Sequence, residues 1–108
     1  MQTISLIGMP TDAGAGIQGS DLGPDALRRA GLGSALKTPD TCFIDNGNLS
    51  GPTTPWSEPV NGLRHLYEVA HWNQSIYVKT RLVIYAFNEQ IRSLFLPLFE
   101  RLNRCVML

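Results

Sequence analysis

The sequence predicts an α/β fold built on a parallel sheet. Three observations predict it: a short β-branched and apolar run at Thr3–Ile7, a capped helical segment after Pro24, and a second strand-like run at Thr41–Asp45. Strand, helix and strand in that order are the repeating unit of parallel sheets.

Thr3 to Ile7 is apolar or β-branched at four of five positions and ends at Gly8, as expected of a strand buried in a parallel sheet. From Gly8 to Gly23 the chain turns to Gly, Pro, Asp, Thr and Ser, so this stretch reads as a long loop with special backbone angles. Loops of that length are usually functional or well packed. Pro24 then suits a first helical turn. Asp25 favours the positive end of that helix, Arg28 and Arg29 the negative end, and Gly31 ends it. Ser34–Lys37 reads as a further short turn, and the strand at Thr41–Asp45 is closed by Asn46 and Gly47.

The segment from Asn48 to Asn61 carries Pro52, Pro55 and Pro59 and reads as an irregular surface connection. Leu63, Leu66, Tyr67, Ala70 and Tyr77 recur at helical steps, which predicts an amphipathic helix from Asn61 to about Lys79. Leu82, Val83, Ile84 and Tyr85 favour a third strand over Arg81–Phe87. Beyond it, Ile91, Leu94, Phe95, Leu98, Leu102, Cys105 and Val106 share a helical face interrupted by Pro97, the pattern of a kinked or late-starting helix.

At 108 residues the chain has room for a single core. Nine Lys and Arg residues balance nine Asp and Glu residues, which removes the electrostatic reason to expect nucleic acid or an anionic membrane as a partner. No apolar run approaches the roughly 18 residues of a membrane span. Cys42 and Cys105 match no metal-ligand spacing, and no signal peptide precedes the first strand, so a reduced cytoplasmic setting is expected. Cys42, beside Phe43 and Ile44, reads as a small buried hydrophobe rather than a nucleophile, and Cys105 likewise.

Several residues could carry chemistry, and each has a plainer role. His65 and His71 lie six apart, about 240° around a helix axis, so they face different ways and are expected in surface or packing roles. Asp12, Asp21, Asp25 and Asp45 read as loop and cap residues rather than a carboxylate pair. Trp56 and Trp72 are expected to pack. No Ser-x-x-Lys, Gly-x-Ser-x-Gly or Cys-x-x-Cys occurs. Gly14-Ala15-Gly16-Ile17-Gln18-Gly19 satisfies G-x-G-x-x-G, with Asp45 near the place of a ribose-binding acid, and so offers a dinucleotide-binding alternative. Its glycines, however, come too long after the strand and too long before the helix to bring phosphates to the helix end.

Four pieces in order carry a family likeness. They are Ile4-Ser5-Leu6-Ile7-Gly8-Met9-Pro10, the glycine-rich loop, Asp21-Leu22-Gly23-Pro24-Asp25-Ala26-Leu27-Arg28-Arg29-Ala30-Gly31-Leu32, and Asp45-Asn46-Gly47-Asn48-Leu49. Together with Ser50-Gly51-Pro52 through Trp72-Asn73 they resemble the N-terminal part of the arginase (ureohydrolase) family, in particular its bacterial-type members, over roughly residues 1–80.

The resemblance implies the N-terminal part of a three-layer α/β/α parallel-sheet sandwich, here incomplete. Residues 81–108 are expected to be a divergent, non-homologous tail. For full-length members it implies two manganese ions, trimers or hexamers, and hydrolysis of L-arginine to ornithine and urea. The segments that hold those metals, Gly-Gly-Asp-His, Asp-Ala-His-x-Asp and a Ser-x-Asp-x-Asp type, are absent from this sequence. No catalytic, cofactor-binding or metal-binding residue is therefore expected, and no cofactor is expected to bind this chain. Ile17 and Gln18 stand where family members commonly carry a basic residue before the glycine kept as Gly19. Asn88-Glu89-Gln90 follows the third apolar run where Gly-Gly-Asp-His would be expected, as a frameshift or a joined unrelated sequence would produce. Uncovered strand edges and apolar faces lead to the expectation of self-association, or of docking to a full-length relative.

Overall fold

A computed structural model describes residues 2–93, and the side chains of residues 2–86. Strand β1 (Gln2–Gly8) is followed by a long loop, a 3-10 turn at Ser20–Leu22, helix α1 (Gly23–Arg29), helix α2 (Leu32–Leu36), strand β2 (Thr41–Asn48) and the long helix α3 (Leu66–Ser93). The strands form a two-stranded parallel sheet, so the α/β parallel class expected from the sequence is the class observed. Among the described residues no helix is long and apolar enough to cross a membrane.

The register pairs Thr3 with Cys42, Ile4 with Phe43, Ser5 with Ile44 and Leu6 with Asp45, then slips before Gly8 meets Asn48. Side chains alternate across a strand. One sheet face therefore carries Ile4, Leu6, Phe43 and Asp45, and the other Thr3, Ser5, Cys42, Ile44 and Asn46. The first face meets α1 and α2: a ring atom of Phe43 lies 3.3 Å from where a Cβ on Gly33 would sit, and Arg28 reaches Asp45. The second face shares a cleft with Lys79, Leu82, Val83 and Ala86 of α3. Helices thus lie on both sides of the sheet, the arrangement that covers a parallel pair.

The first helix begins one residue before Pro24, with Asp25 in its first turn and Arg28 and Arg29 in its last. Gly31, at φ 96°, starts the next helix in a left-handed conformation that costs a glycine little. Cys42 and Phe43 are buried, and Trp72 is only 4% exposed. Cys42 therefore occupies the buried position its neighbours predicted, while Cys105 lies outside the described residues.

Two expectations for the C-terminal half are corrected. The helix does not start at Asn61. Asn61 and Gly62, at φ 52° and 76°, instead form a two-residue turn, with Val60 and Leu63 exchanging backbone hydrogen bonds of 2.8 and 3.0 Å. Asn-Gly is the preferred sequence for such a turn. Nor is 81–87 a strand, because α3 continues through it to Ser93. No Gly or Pro interrupts residues 63–93, and a helix closes its own hydrogen bonds whereas a strand needs a neighbour. The kinked helix expected around Pro97 lies largely outside the described residues.

α3 is apolar on more than its packed side. Val69, Trp72, Ile76 and Val83 are at least half covered, yet Leu66, Tyr67, Tyr77, Val78, Ile84 and Tyr85 stand exposed. A helix with apolar residues on both faces has the character of a buried one.

Candidate functional site

In open α/β sheets ligands bind beyond the carboxyl ends of the strands. Here that end is occupied by an ion cluster. Arg28 Nε donates to Asp45 Oδ2 at 2.8 Å and Nη2 to Asp45 Oδ1 at 3.0 Å, a two-pronged clasp of α1 onto β2. Nη1 of the same guanidinium donates to Asp25 Oδ1 at 3.3 Å and to Asn48 Oδ1. Asn48 Nδ2 donates to Asp25 Oδ1 at 3.0 Å, and the Gly47 backbone N–H donates to Asp45 Oδ1 at 2.8 Å.

The Arg28 bonds, then the Gly47 N–H, hold the Asp45 carboxyl below the ordinary carboxylate range; the Asp45 bond in turn raises Arg28. Gly8 makes the cluster possible. A Cβ there would collide with Asn48 Oδ1 and sit 3.1 Å from Arg28 Nη2. One guanidinium serves two carboxylates, with Asn48 and the Gly47 N–H supplying further donors, so the cluster acts as a clasp between α1 and β2.

The loop after β1 is organised by Asp12. Thr54 Oγ1 donates to its Oδ1 at 2.6 Å and the Gly19 N–H to its Oδ2 at 3.3 Å, tying the loop both to itself and to the 49–65 connection. The Thr54 bond is the main reason the Asp12 carboxyl lies below its ordinary range. A cleft of about 360 Å³ opens beside it, and Gln18, Asp21, Thr53 and Trp56 contribute to its wall. Its charged lining is the acids Asp12 and Asp21. Gln18 brings no positive charge to the place where the resembling family commonly has one.

His65 is buried, and its Nδ1 lies 3.2 Å from the Ala13 carbonyl oxygen. Its ring meets Trp56 edge to face at 5.3 Å. It precedes α3, at φ 58°, whereas His71 is exposed on the helix and tilts against Tyr67. Trp72 donates its Nε1–H to the Pro52 carbonyl at 3.0 Å and lies so close to Gly51 that a Cβ there would come within 2.8 Å of its ring. Both tryptophans thus pack, as their sequence context implied.

Asp25 and Asp45 share Arg28 in the clasp, whereas Asp12 and Asp21 line the loop cleft, so the four acids fall in two groups with different partners. Among the described residues no group of three or more His, Cys, Asp or Glu side chains could hold a metal ion. The glycines at 14, 16 and 19 lie in the loop, and α1 begins only at Gly23 after the intervening 3-10 turn. The Arg28 cluster was not legible as a unit. Its members read separately as a helix end and loop residues, and only the register slip of β2 at Asn46-Gly47 brings Asn48 opposite Gly8.

No family model matches the chain. It is similar to the arginase of Staphylococcus aureus (strain COL), with 36% identity over 78 residues, covering 69% of this chain and 26% of that protein. Similarity to the arginase of Agrobacterium fabrum (strain C58) is 30% identity over 100 residues, covering 92% of this chain and 29% of the relative. The arginase of Brucella melitensis biotype 1 is 29% identical over 72 residues, with 66% and 24% covered. The chain thus spans about a quarter of the length of the relatives it matches. Similarity that runs through most of the chain, on a parallel strand–helix–strand unit of the expected class, places it in the arginase family.

Proposed function

We propose that this sequence descends from a manganese-dependent hydrolase of L-arginine, yielding ornithine and urea, and that these 108 residues alone do not perform that reaction. The similarity to three bacterial arginases carries the first half. The second half rests on chemistry. A two-metal hydrolytic centre needs several carboxylate and imidazole donors converging on one spot, with positions left for water and substrate. Among the described residues no three such donors come together: His65 uses Nδ1 at Ala13 and leaves Nε2 unpartnered, Asp12 is engaged by Thr54 and Gly19, and Asp45 by Arg28. They do not fit a manganese pair, and no step of the family reaction is derived through them. A urea-release assay with added manganese is the test; urea above the protein-free control overturns the inactivity.

We place the end of the arginase-like segment near residue 80, with 81–108 a divergent tail. The 100-residue match, covering 92% of this chain, extends past residue 80 and favours a diverged but homologous tail over a frameshifted or unrelated one. The encoding nucleotide sequence decides: a second frame reading Gly-Gly-Asp-His downstream of codon 80 would restore the frameshift reading, and its absence defeats it.

A cytoplasmic setting and association through exposed apolar surface belong to the same reading, with a second copy or a full-length relative as partner. The dinucleotide-binding alternative is disfavoured by the 3-10 turn that separates Gly19 from α1. Binding of NAD by the purified chain would revive it.

A further inference from the structure

Each strand of the two-stranded sheet has a second edge, and the two edges differ. The outer edge of β2 begins at the Thr38–Thr41 bridge, and β2 carries the charged Asp45. β1 has neither feature. Gln2 N–H donates to Asp40 and the Gly8 carbonyl accepts from Leu49, so the even-numbered residues of β1 turn their backbone groups toward β2. Successive residues of a strand point those groups opposite ways, which leaves the N–H and C=O of Thr3, Ser5 and Ile7 facing outward. Among the described residues they meet no hydrogen-bond partner, and Ser5, at the middle of this edge, is exposed.

Free edges are normally guarded by charge, proline or a bulge. Gln2–Gly8 contains no Lys, Arg, Asp, Glu or Pro, and the register slip places its extra residue in β2. The segment is also complementary to itself. An antiparallel pairing about a two-fold axis at Ser5 sets Thr3 against the partner's Ile7 and Ser5 against the partner's Ser5. All of these are outward-facing residues, the parity that such a ladder requires. Ile4 then falls opposite the partner's Leu6 in the closer, non-hydrogen-bonded position, beside the apolar groove that Leu6 shares with Leu27 and Leu32. Leu27 is 56% exposed there. No like charges meet across the axis, and a two-fold contact uses one surface twice and closes. We propose that the outer edge of β1 is the interface between two copies of this chain, joined antiparallel about Ser5 into a four-stranded sheet. This rests on the self-association reading above and gives it a surface other than α3.

Two experiments on the full chain test it. Isotope-filtered NOESY on mixed labelled and unlabelled chain is expected to show an intermolecular contact between the Hα atoms of Ile4 and Leu6, the close pair of this register. Ser5→Pro removes an outward N–H that β2 does not use, so the strand can accommodate it. By sedimentation it should raise the dimer dissociation constant at least about tenfold with unchanged far-UV circular dichroism, whereas Ser5→Ala should leave it unaltered. A dimer that lacks the Ile4–Leu6 contact, or one equally tight in folded Ser5→Pro, overturns this interface but not self-association. A chain monomeric at every concentration overturns both, and protection of its Ser5 amide from hydrogen exchange would assign the edge to a cover within the chain.

Discussion

Arg28 and Asp45 are joined by two nearly parallel hydrogen bonds, at 2.8 and 3.0 Å, that fasten the last turn of α1 to β2. The planar fork of arginine matches a carboxylate in a way lysine does not. Arg28→Lys should therefore destabilise the chain nearly as much as Arg28→Ala, by about 0.5–1 kcal/mol for so accessible a pair. Urea denaturation of the two variants, with Asp45→Asn to complete a double-mutant cycle, measures it.

The same clasp sets an acid limit. The folded-state pKa of Asp45 is depressed, so between that value and the unfolded value near 4 the unfolded chain binds more protons. The stabilisation is fully present above about pH 4 and is lost as pH falls through the folded value. Asp12 acts in the same direction through Thr54. The slope of stability against pH in the acid range should flatten in Asp45→Asn, a comparison that thermal melts from pH 2 to pH 6 provide.

Gly8→Ala should destabilise by about 1–3 kcal/mol, because the new methyl displaces Asn48 from Arg28 in an already filled space. Adding Asn48→Ala should recover part of that loss. A double variant no more stable than Gly8→Ala would mean that the steric conflict lies elsewhere.

Trp72→Phe keeps a ring against Gly51 but removes the bond to Pro52, with an expected loss of about 0.5–1.5 kcal/mol. Trp72→Ala empties the site and should cost about 3–5 kcal/mol. Far-UV circular dichroism during denaturation separates the two.

If the outer face of α3 drives self-association, Tyr77→Lys with Ile84→Glu should lower the average mass seen by sedimentation at a given concentration. Both side chains are more than half exposed, so their replacement removes little intramolecular packing. An unchanged mass distribution would assign any association to another surface.

The sequence was most informative where local chemistry decides. Pro24, Asp25 and Gly31 marked α1 because caps and special backbone angles act over a few residues. The apolar runs at 3–7 and 41–45 marked the strands, although β2 extends to Asn48, past the Asn46-Gly47 that had been read as its end. Periodicity found α3 as a helix but chose the wrong face and misjudged both ends. Leu63, Leu66, Tyr67, Ala70 and Tyr77 stand exposed while Val69, Trp72 and Ile76 pack. Asn61-Gly62 favoured a turn over a helix start, and Leu82–Tyr85 has strand composition inside an uninterrupted helix. The clasp was the hardest to read, since Asp25, Arg28, Asp45 and Asn48 meet only after the chain has crossed from one strand to its neighbour.

The passage of α3 through residue 80 without a break has an evolutionary corollary. A coil whose hydrogen bonds are satisfied four residues away imposes little beyond the exclusion of glycine and proline, so foreign codons can enter there and still be spun into regular backbone. Sheet-forming segments have no such latitude, because each new residue must find a mate on another segment. Drift in reading frame would thus leave its first visible scar in tertiary burial, as oily side chains facing water, well before it disturbed the local winding of the chain.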